Sequence, residues 1–343
     1  MRLGLLAGPI GATAKVDMDL VLEAESLGFD SVWNSEAWGS DAITSISWMA
    51  AKTTKLKIGS SIVQMLARTP AMTAMSAMTL DALSGGRLIL GLGLSGPQVI
   101  EGWHGKPFPK KPLTYTREYI TILRAIFARE EKLQFDGEYF QIPYKGDDAL
   151  GLGKPLKCIL RGRPDIPIYT GSITPRSIAQ CGEICDGLSL IFTNPDKFDV
   201  VQKSLDRGFA RSPGKQTSQF DIAATVMVSV GDDLDALRKP MKAQLSLYIG
   251  GMGAKDKNFY KDYISSLGFV TECEKIQDAY LAGRPKEALS LVPDQLVDAF
   301  YLVGPKERIT ERFATWKDSP VTSMLLNTQQ PEAIRLMAEL ADS

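Results

Sequence analysis

Apolar and polar residues along this chain alternate between two kinds of run. Short apolar, β-branched runs fall at 2–7, 30–35, 56–64, 87–93, 166–170, 187–192, 221–230 and 323–327. Between them lie stretches in which apolar residues recur every three or four positions, the spacing of one helix face. These predict helices at 17–27, 42–52, 70–83, 115–129, 175–184, 199–210, 234–248 and 331–340. In the first, Leu20, Val21, Ala24 and Leu27 form a stripe, and Gly28 closes the helix. Pro70 suits a first helical turn. Continuously apolar strands alternating with helices are buried on both faces, which predicts a parallel sheet covered by helices. The strand count predicts an α/β fold closed as a (β/α)8 TIM barrel, with an open doubly wound sheet as the alternative. Residues 131–165, rich in Gly, Pro and Lys, read as an insertion with a hairpin, expected on the C-terminal face of the barrel. Residues 251–317 read as mostly helical. Neither repeats nor low-complexity tracts divide the chain, so 1–343 reads as a single domain.

Composition narrows the picture. A chain of 343 residues, 44% hydrophobic and 23% charged, buries a large core and suits a barrel with insertions. A net charge of -1 without basic blocks argues against nucleic acid or a membrane surface as partner. The opening apolar run is interrupted by Gly8, Pro9 and Gly11, too soon for a signal peptide. No stretch is long and apolar enough for a membrane span. Cys158, Cys181, Cys185 and Cys273 match neither a zinc pattern nor a disulfide framework, so unreactive thiols and a cytoplasmic location are expected. The single histidine, His104, leaves no His-rich metal site and no Ser-His-Asp triad, and no metal is expected.

Barrel chemistry sits at the C-terminal ends of the strands. Strand two ends in Trp33-Asn34-Ser35-Glu36-Ala37-Trp38, where a carboxylate between two indoles forms a candidate pocket. Strand three ends in hydroxyls and an amide, Ser60, Ser61 and Gln64. Gly91-Leu92-Gly93-Leu94-Ser95-Gly96 fits G-x-G-x-x-G literally, but Pro97 and a loop follow instead of the required long helix. These glycines are read instead as places where a cofactor or neighbouring backbone approaches closely. After strand five, Gly171, Ser172 and Ile173 lead to Thr174 as an N-cap and Pro175 at the first helical position. Such a turn presents N–H groups and a positive dipole end to an anion, most often phosphate. A side chain at Gly171 is expected to fill that site. His104, in the loop Glu101-Gly102-Trp103-His104-Gly105, is a candidate acid or base, since histidine exchanges a proton near neutral pH. Packing on Trp103 is the alternative.

Together these segments resemble the luciferase-like monooxygenase superfamily. The resemblance is carried by Glu25–Trp33, by Ala77–Gly93 with Asp81-Ala82-Leu83-Ser84-Gly85-Gly86-Arg87, and by Asp165–Gly187. Ser95–His104 and Gln64–Pro70 resemble its coenzyme F420-dependent branch. The resemblance implies a bacterial-luciferase-like barrel and a homodimer. It implies a non-proline cis peptide at Ser61–Ile62, against which the deazaflavin ring rests. Cofactor contacts are then expected from Ser61, Ile62, Gln64 and Gly96, with the phosphate on Gly171, Ser172 and Ile173. Several members carry an acidic residue followed by histidine after strand two, whereas here Glu36 precedes Ala37. The proton role therefore falls to Glu36 or His104. The implied activity is hydride transfer between F420 and an unidentified small organic substrate. An FMN-dependent monooxygenase and a non-catalytic cofactor-binding relative are the alternatives.

Overall fold

The computed structural model describes residues 1–8, 12, 14–215 and 217–342. Eight parallel strands close into a barrel: β1 Arg2–Leu6, β2 Ser31–Asn34, β3 Lys57–Ser60, β4 Leu88–Gly93, β5 Ile168–Gly171, β6 Gly187–Ile191, β7 Asp221–Val230 and β8 Ser323–Asn327. Each pairs with its neighbour in chain order, and β8 pairs back onto β1, where Leu3 faces Met324. Closure leaves neither edge that an open sheet requires, so the (β/α)8 expectation holds. Outward-facing residues such as Leu5, Val32, Ile58, Leu90 and Leu326 are fully buried under the helices. Inside the barrel, Trp33, Ile89, Tyr169, Ala223 and Leu325 form one packed layer.

The N-terminal end is plugged by Asp221, which accepts hydrogen bonds from Arg2 Nη2 at 2.7 Å, Tyr169 Oη at 2.7 Å and Ser323 Oγ at 2.9 Å. Burial and the neighbouring carboxylate push the Tyr169 phenol well above its usual range, so it stays a donor. This polar plug closes the end opposite the one where barrel chemistry is found.

Three stretches differ from expectation. Residues 56–64 are not one strand. β3 pairs Ile58 with Leu88, whereas Val63–Gln64 pairs Val63 with Leu92, so the register slips by one residue between them. The slip falls at Ser61–Ile62, whose peptide bond is cis as the resemblance implied. Residues 251–317 also contain a strand, Leu302–Gly304, paired with the end of β7 at Val228, Ser229 and Val230. Helices Leu234–Ser246, Phe259–Ser266, Val270–Leu281 and Asp294–Phe300 build a second core around Phe192, Ile249, Ile264, Ile276 and Leu296.

The segment 131–165 holds the antiparallel hairpin Phe135–Asp136 with Gln141–Ile142. It leaves the end of helix Pro112–Ala128, whose Arg124 donates to Ile166 O just before β5. That is the N-terminal end of the barrel, where a helix-to-strand connection must begin and end, so the expected location on the C-terminal face is corrected for the body of the segment, and its hairpin tip alone reaches Lys111 on that side. The hairpin then turns back along the helix. Its tip delivers the N–H groups of Glu138, Tyr139 and Phe140 to the Glu118 carboxylate at 2.7, 2.9 and 3.2 Å.

Candidate active site

The C-terminal mouth gathers residues from β2, β3 and β4. Glu36 sits two residues past β2 and is largely buried, its side chain 10% exposed. Its Oε2 accepts from Gln64 N at 2.9 Å and its Oε1 from Ala42 N at 3.4 Å. Arg68 Nη2 lies 3.5 Å from Oε1 and also binds Asp41. Helix Ala42–Lys52 begins here, capped by Asp41, so the carboxylate rests at a positive helix end. The pocket between two indoles is corrected. Trp33 alternates into the barrel layer below, its Nε1 donating to Ser31, while Trp38 is half-exposed.

Gln64 is the hub of the mouth and is fully buried. Its Nε2 donates to Ala37 O at 3.0 Å and Ser95 Oγ at 3.3 Å, and its Oε1 stands 2.7 Å from His104 Nε2. An amide oxygen can only accept, so His104 Nε2 carries hydrogen. Nδ1 is the ring nitrogen left for other partners. His104 is thus held by Gln64 rather than by packing on the exposed Trp103. Gly96 caps the short helix Pro97–Gly102 that carries the histidine loop, and its carbonyl accepts from Val99 and Ile100.

The register slip shapes the floor of the mouth. A Cβ at Gly91 would lie 1.8 Å from Ser60 O, and one at Gly93 would lie 2.7 Å from Ile62 Cδ1 and Cγ1. A Cβ at Gly171 would meet Ile62 Cγ2 at 3.0 Å. The two glycines of β4 therefore admit the bulged backbone, and the Ile62 side chain lies between β4 and β5. Ser61 Oγ reaches Ser189 Oγ of β6 at 2.9 Å, across the barrel. A side chain at position 171 would press on Ile62 at its first carbon.

The turn after β5 has the expected cap. Thr174 Oγ1 accepts from Ser177 N, and Ser177 Oγ accepts from Thr174 N, as a reciprocal pair before helix Pro175–Ile184. Ser172 is buried, its hydroxyl on Thr170 Oγ1 at 3.3 Å, and Ile173 packs against the second core. Pro175 has no N–H and Ser177's is taken, so Ser172, Ile173 and Arg176 supply the N–H groups that can meet an anion.

Among the described residues, two buried polar atoms at this end have no partner: Asn34 Nδ2 at the end of β2, and Thr193 Oγ1 just past β6. Buried donors are rarely left unpaired, so each leaves room for a ligand oxygen. No residue type singles out Asn34, Arg68, Asp41 or Ser95 for the site, although Asp41 suits a helix cap. Their positions depend on a bulge and a left-handed turn, Ser95 having φ 63°. Among the described residues no group of His, Cys, Asp and Glu could hold a metal. Among the same residues no helix is long and apolar enough to cross a membrane.

The fold and this mouth define an α/β-barrel protein with a polar network at one wall, an apolar floor and an anion-ready turn. The family model described as luciferase-like monooxygenase matches residues 6–323, and the chain belongs to that family. It is 43% identical, over 99% of both chains, to a Mycobacterium tuberculosis protein bearing the name "Putative coenzyme F420-dependent oxidoreductase". It is 27% identical to 5,10-methylenetetrahydromethanopterin reductase of Archaeoglobus fulgidus, covering 88% of this chain and 86% of the other. Among solved structures it resembles the coenzyme F420-dependent tetrahydromethanopterin reductase of Methanopyrus kandleri, with TM-score 0.78 and 23% identity over 98% and 97% of the two chains. An F420-dependent secondary alcohol dehydrogenase in complex with an F420-acetone adduct gives TM-score 0.74 at 21% identity, over 99% and 97% of the chains.

Proposed function

We propose that this protein is a coenzyme F420-dependent oxidoreductase that transfers a hydride between the deazaflavin and a small organic substrate at the barrel mouth. The observation that carries the reading is the end-to-end likeness, at 43% identity, to a protein named for that activity. The mouth fits the cofactor: Ile62 offers an apolar platform, Asn34 and Thr193 are polar groups without a partner among the described residues, and the turn at Gly171, Ser172 and Ile173 suits a phosphate. When bound, F420 supplies two-electron hydride chemistry with little reactivity toward oxygen, because its ring has carbon where a flavin has N5.

The residues divide the remaining work. Ser61 and Ile62 support the ring, and Gln64 and Gly96 border it. A substrate that gains or loses hydride must also exchange a proton, and His104 does this through Nδ1 while Gln64 fixes the ring. Glu36 is a positioning residue: bound by two N–H groups and Arg68, it holds the Gln64 backbone and hence the histidine. The protein works as one barrel domain, residues 1–343, with 131–165 inserted. It acts as a cytoplasmic homodimer, to which half-exposed Trp48, Met72 and Met75 on neighbouring helices give an apolar surface.

The test is titration with F420 and with FMN, followed by a hydride-acceptor screen across pH with His104→Asn and Glu36→Gln. F420 should bind and FMN should not. His104→Asn should lower kcat by about 10²–10⁴-fold, the usual range for a lost general acid or base. Glu36→Gln should lower it less and leave the pH profile in place. Preference for FMN would overturn the cofactor, and an unchanged kcat in His104→Asn would overturn the proton role. Light scattering at micromolar concentration should give twice the chain mass.

A further inference from the structure

Beside the phosphate turn lies a cavity of about 430 Å³ that belongs neither to the mouth nor to the barrel interior. It opens between the first turns of helices Pro112–Ala128 and Pro175–Ile184, with helix Asp199–Phe209 as its third wall. Four arginines line it: Arg117, Arg176, Arg207 and Arg211. In a chain of net charge -1 this is a strong local excess of one sign.

The nearby carboxylates do not offset it. Glu118 is taken up by three N–H groups of the hairpin tip. Glu183 is shared, at 2.9 Å from Arg117 and 3.8 Å from Arg211. Arg176 makes no ion pair among the described residues, and Arg207 donates only to Ser204 Oγ at 3.0 Å. Both are exposed. Two guanidinium groups thus face the cavity with their charge uncompensated, and a third carboxylate could be held there bidentately.

We infer that this cavity binds the acidic tail of the cofactor, the chain of glutamates that F420 carries beyond its phosphate. The inference rests on the F420 reading above and extends it to a separate subsite. Position supports it: Pro175 and Arg176, which line the cavity, directly follow the turn at Gly171, Ser172, Ile173 and Thr174. An arm leaving that turn outward passes onto the arginines. A charged tail held by exposed guanidinium groups gains affinity mainly at low ionic strength, since the Debye length shrinks to about 8 Å at physiological salt. The apolar floor and the phosphate turn do not depend on it.

The experiment is a fluorescence titration of wild type and the double variant R176A/R207A with two forms of F420, one bearing several glutamates and one bearing none, at low and high salt. Neither change breaks an ion pair, so the fold should persist, and circular dichroism checks it. For two exposed charge contacts the expected loss is about fivefold to tenfold in affinity for the glutamylated form at low salt, shrinking at high salt. The form without glutamates should bind the single variant R207A, whose residue stands outside the phosphate turn, as tightly as wild type. Equal binding of the glutamylated form to both proteins would overturn the inference while leaving the cofactor reading intact. Failure of wild type to bind either form would sink the cofactor reading and the inference with it. A free oligoglutamate peptide is the last arm. If it binds wild type as tightly in the presence of saturating glutamylated F420 as in its absence, the arginines serve another acidic ligand and the inference fails.

Discussion

Replacing Gly93 by alanine tests the mouth's floor directly. The new methyl carbon would sit 2.7 Å from two carbons of Ile62, where ordinary carbon contacts lie near 3.5–4.0 Å. Relief requires a shift of roughly 1 Å in Ile62 or in β4, and overpacking of this kind typically costs about 1–3 kcal/mol. The strand is fully buried and paired on both sides, so the side chain moves more cheaply than the backbone. Ile62→Ala removes Cδ1, Cγ1 and Cγ2, leaving only its Cβ, which lies 3.4 Å from the introduced methyl. A double-mutant cycle should therefore show favourable coupling of about 1–2 kcal/mol, within the usual range for touching residues. Urea midpoints of the wild type, both single variants and the double variant measure it, and F420 titration of the same four proteins follows the floor. Gly171→Ala, at 3.0 Å from Cγ2 alone, should be milder. If the two changes add to within about 0.5 kcal/mol, Ile62 does not fill the space above Gly93 and the account of the floor is wrong.

Arg163 holds the buried Asp81 through two bonds of 2.9 and 3.0 Å, so Arg163→Ala should cost about 3 kcal/mol by leaving that carboxylate without its cation and with only the Leu88 N–H, read as a lower urea midpoint. With one histidine in the chain, a ¹⁵N spectrum gives one imidazole; it should report hydrogen on Nε2 in the neutral ring, and Gln64→Leu should remove that preference. Glu25 is partly buried, which alone would raise its pKa, yet the N–H groups of Lys55, Thr54 and Leu56 hold the carboxyl below its usual value of 4.5. Its folded pKa is depressed, so its contribution is present above about pH 4.5 and lost as pH falls through the lower folded value. Melting temperature against pH should therefore fall less steeply on the acid side in Glu25→Gln; an unchanged slope would contradict this.

Much of the barrel was legible because its signals are local. Period-two and period-3.6 patterns act over a few residues, and a cap such as Thr174 with Pro175 needs only its own turn. The eight strands, the anion-ready turn and the glycines of β4 could all be read this way. The Ser61–Ile62 bond was reached only through family resemblance, since nothing in its own residue types marks it. What tertiary structure decided is which distant residues meet. Gln64 and His104 are 40 positions apart, and their contact exists because β3 slips register and β4 turns left-handed at Ser95. Glu36 looked like a free acid between indoles because a strand's alternation is visible in sequence but its end is not. One residue past Asn34 the chain leaves the sheet, and the carboxylate turns to the helix start at Ala42. The segment 131–165 starts and ends at the opposite end of the barrel, and only its hairpin tip climbs back to Glu118 and Lys111, a path set by topology that composition does not carry. The arginine cavity needs three helices whose first contact residue and last are almost 100 positions apart, from Leu113 to Arg211. Charge of one sign collects there because packing sets those side chains side by side, a condition no window along the chain can register.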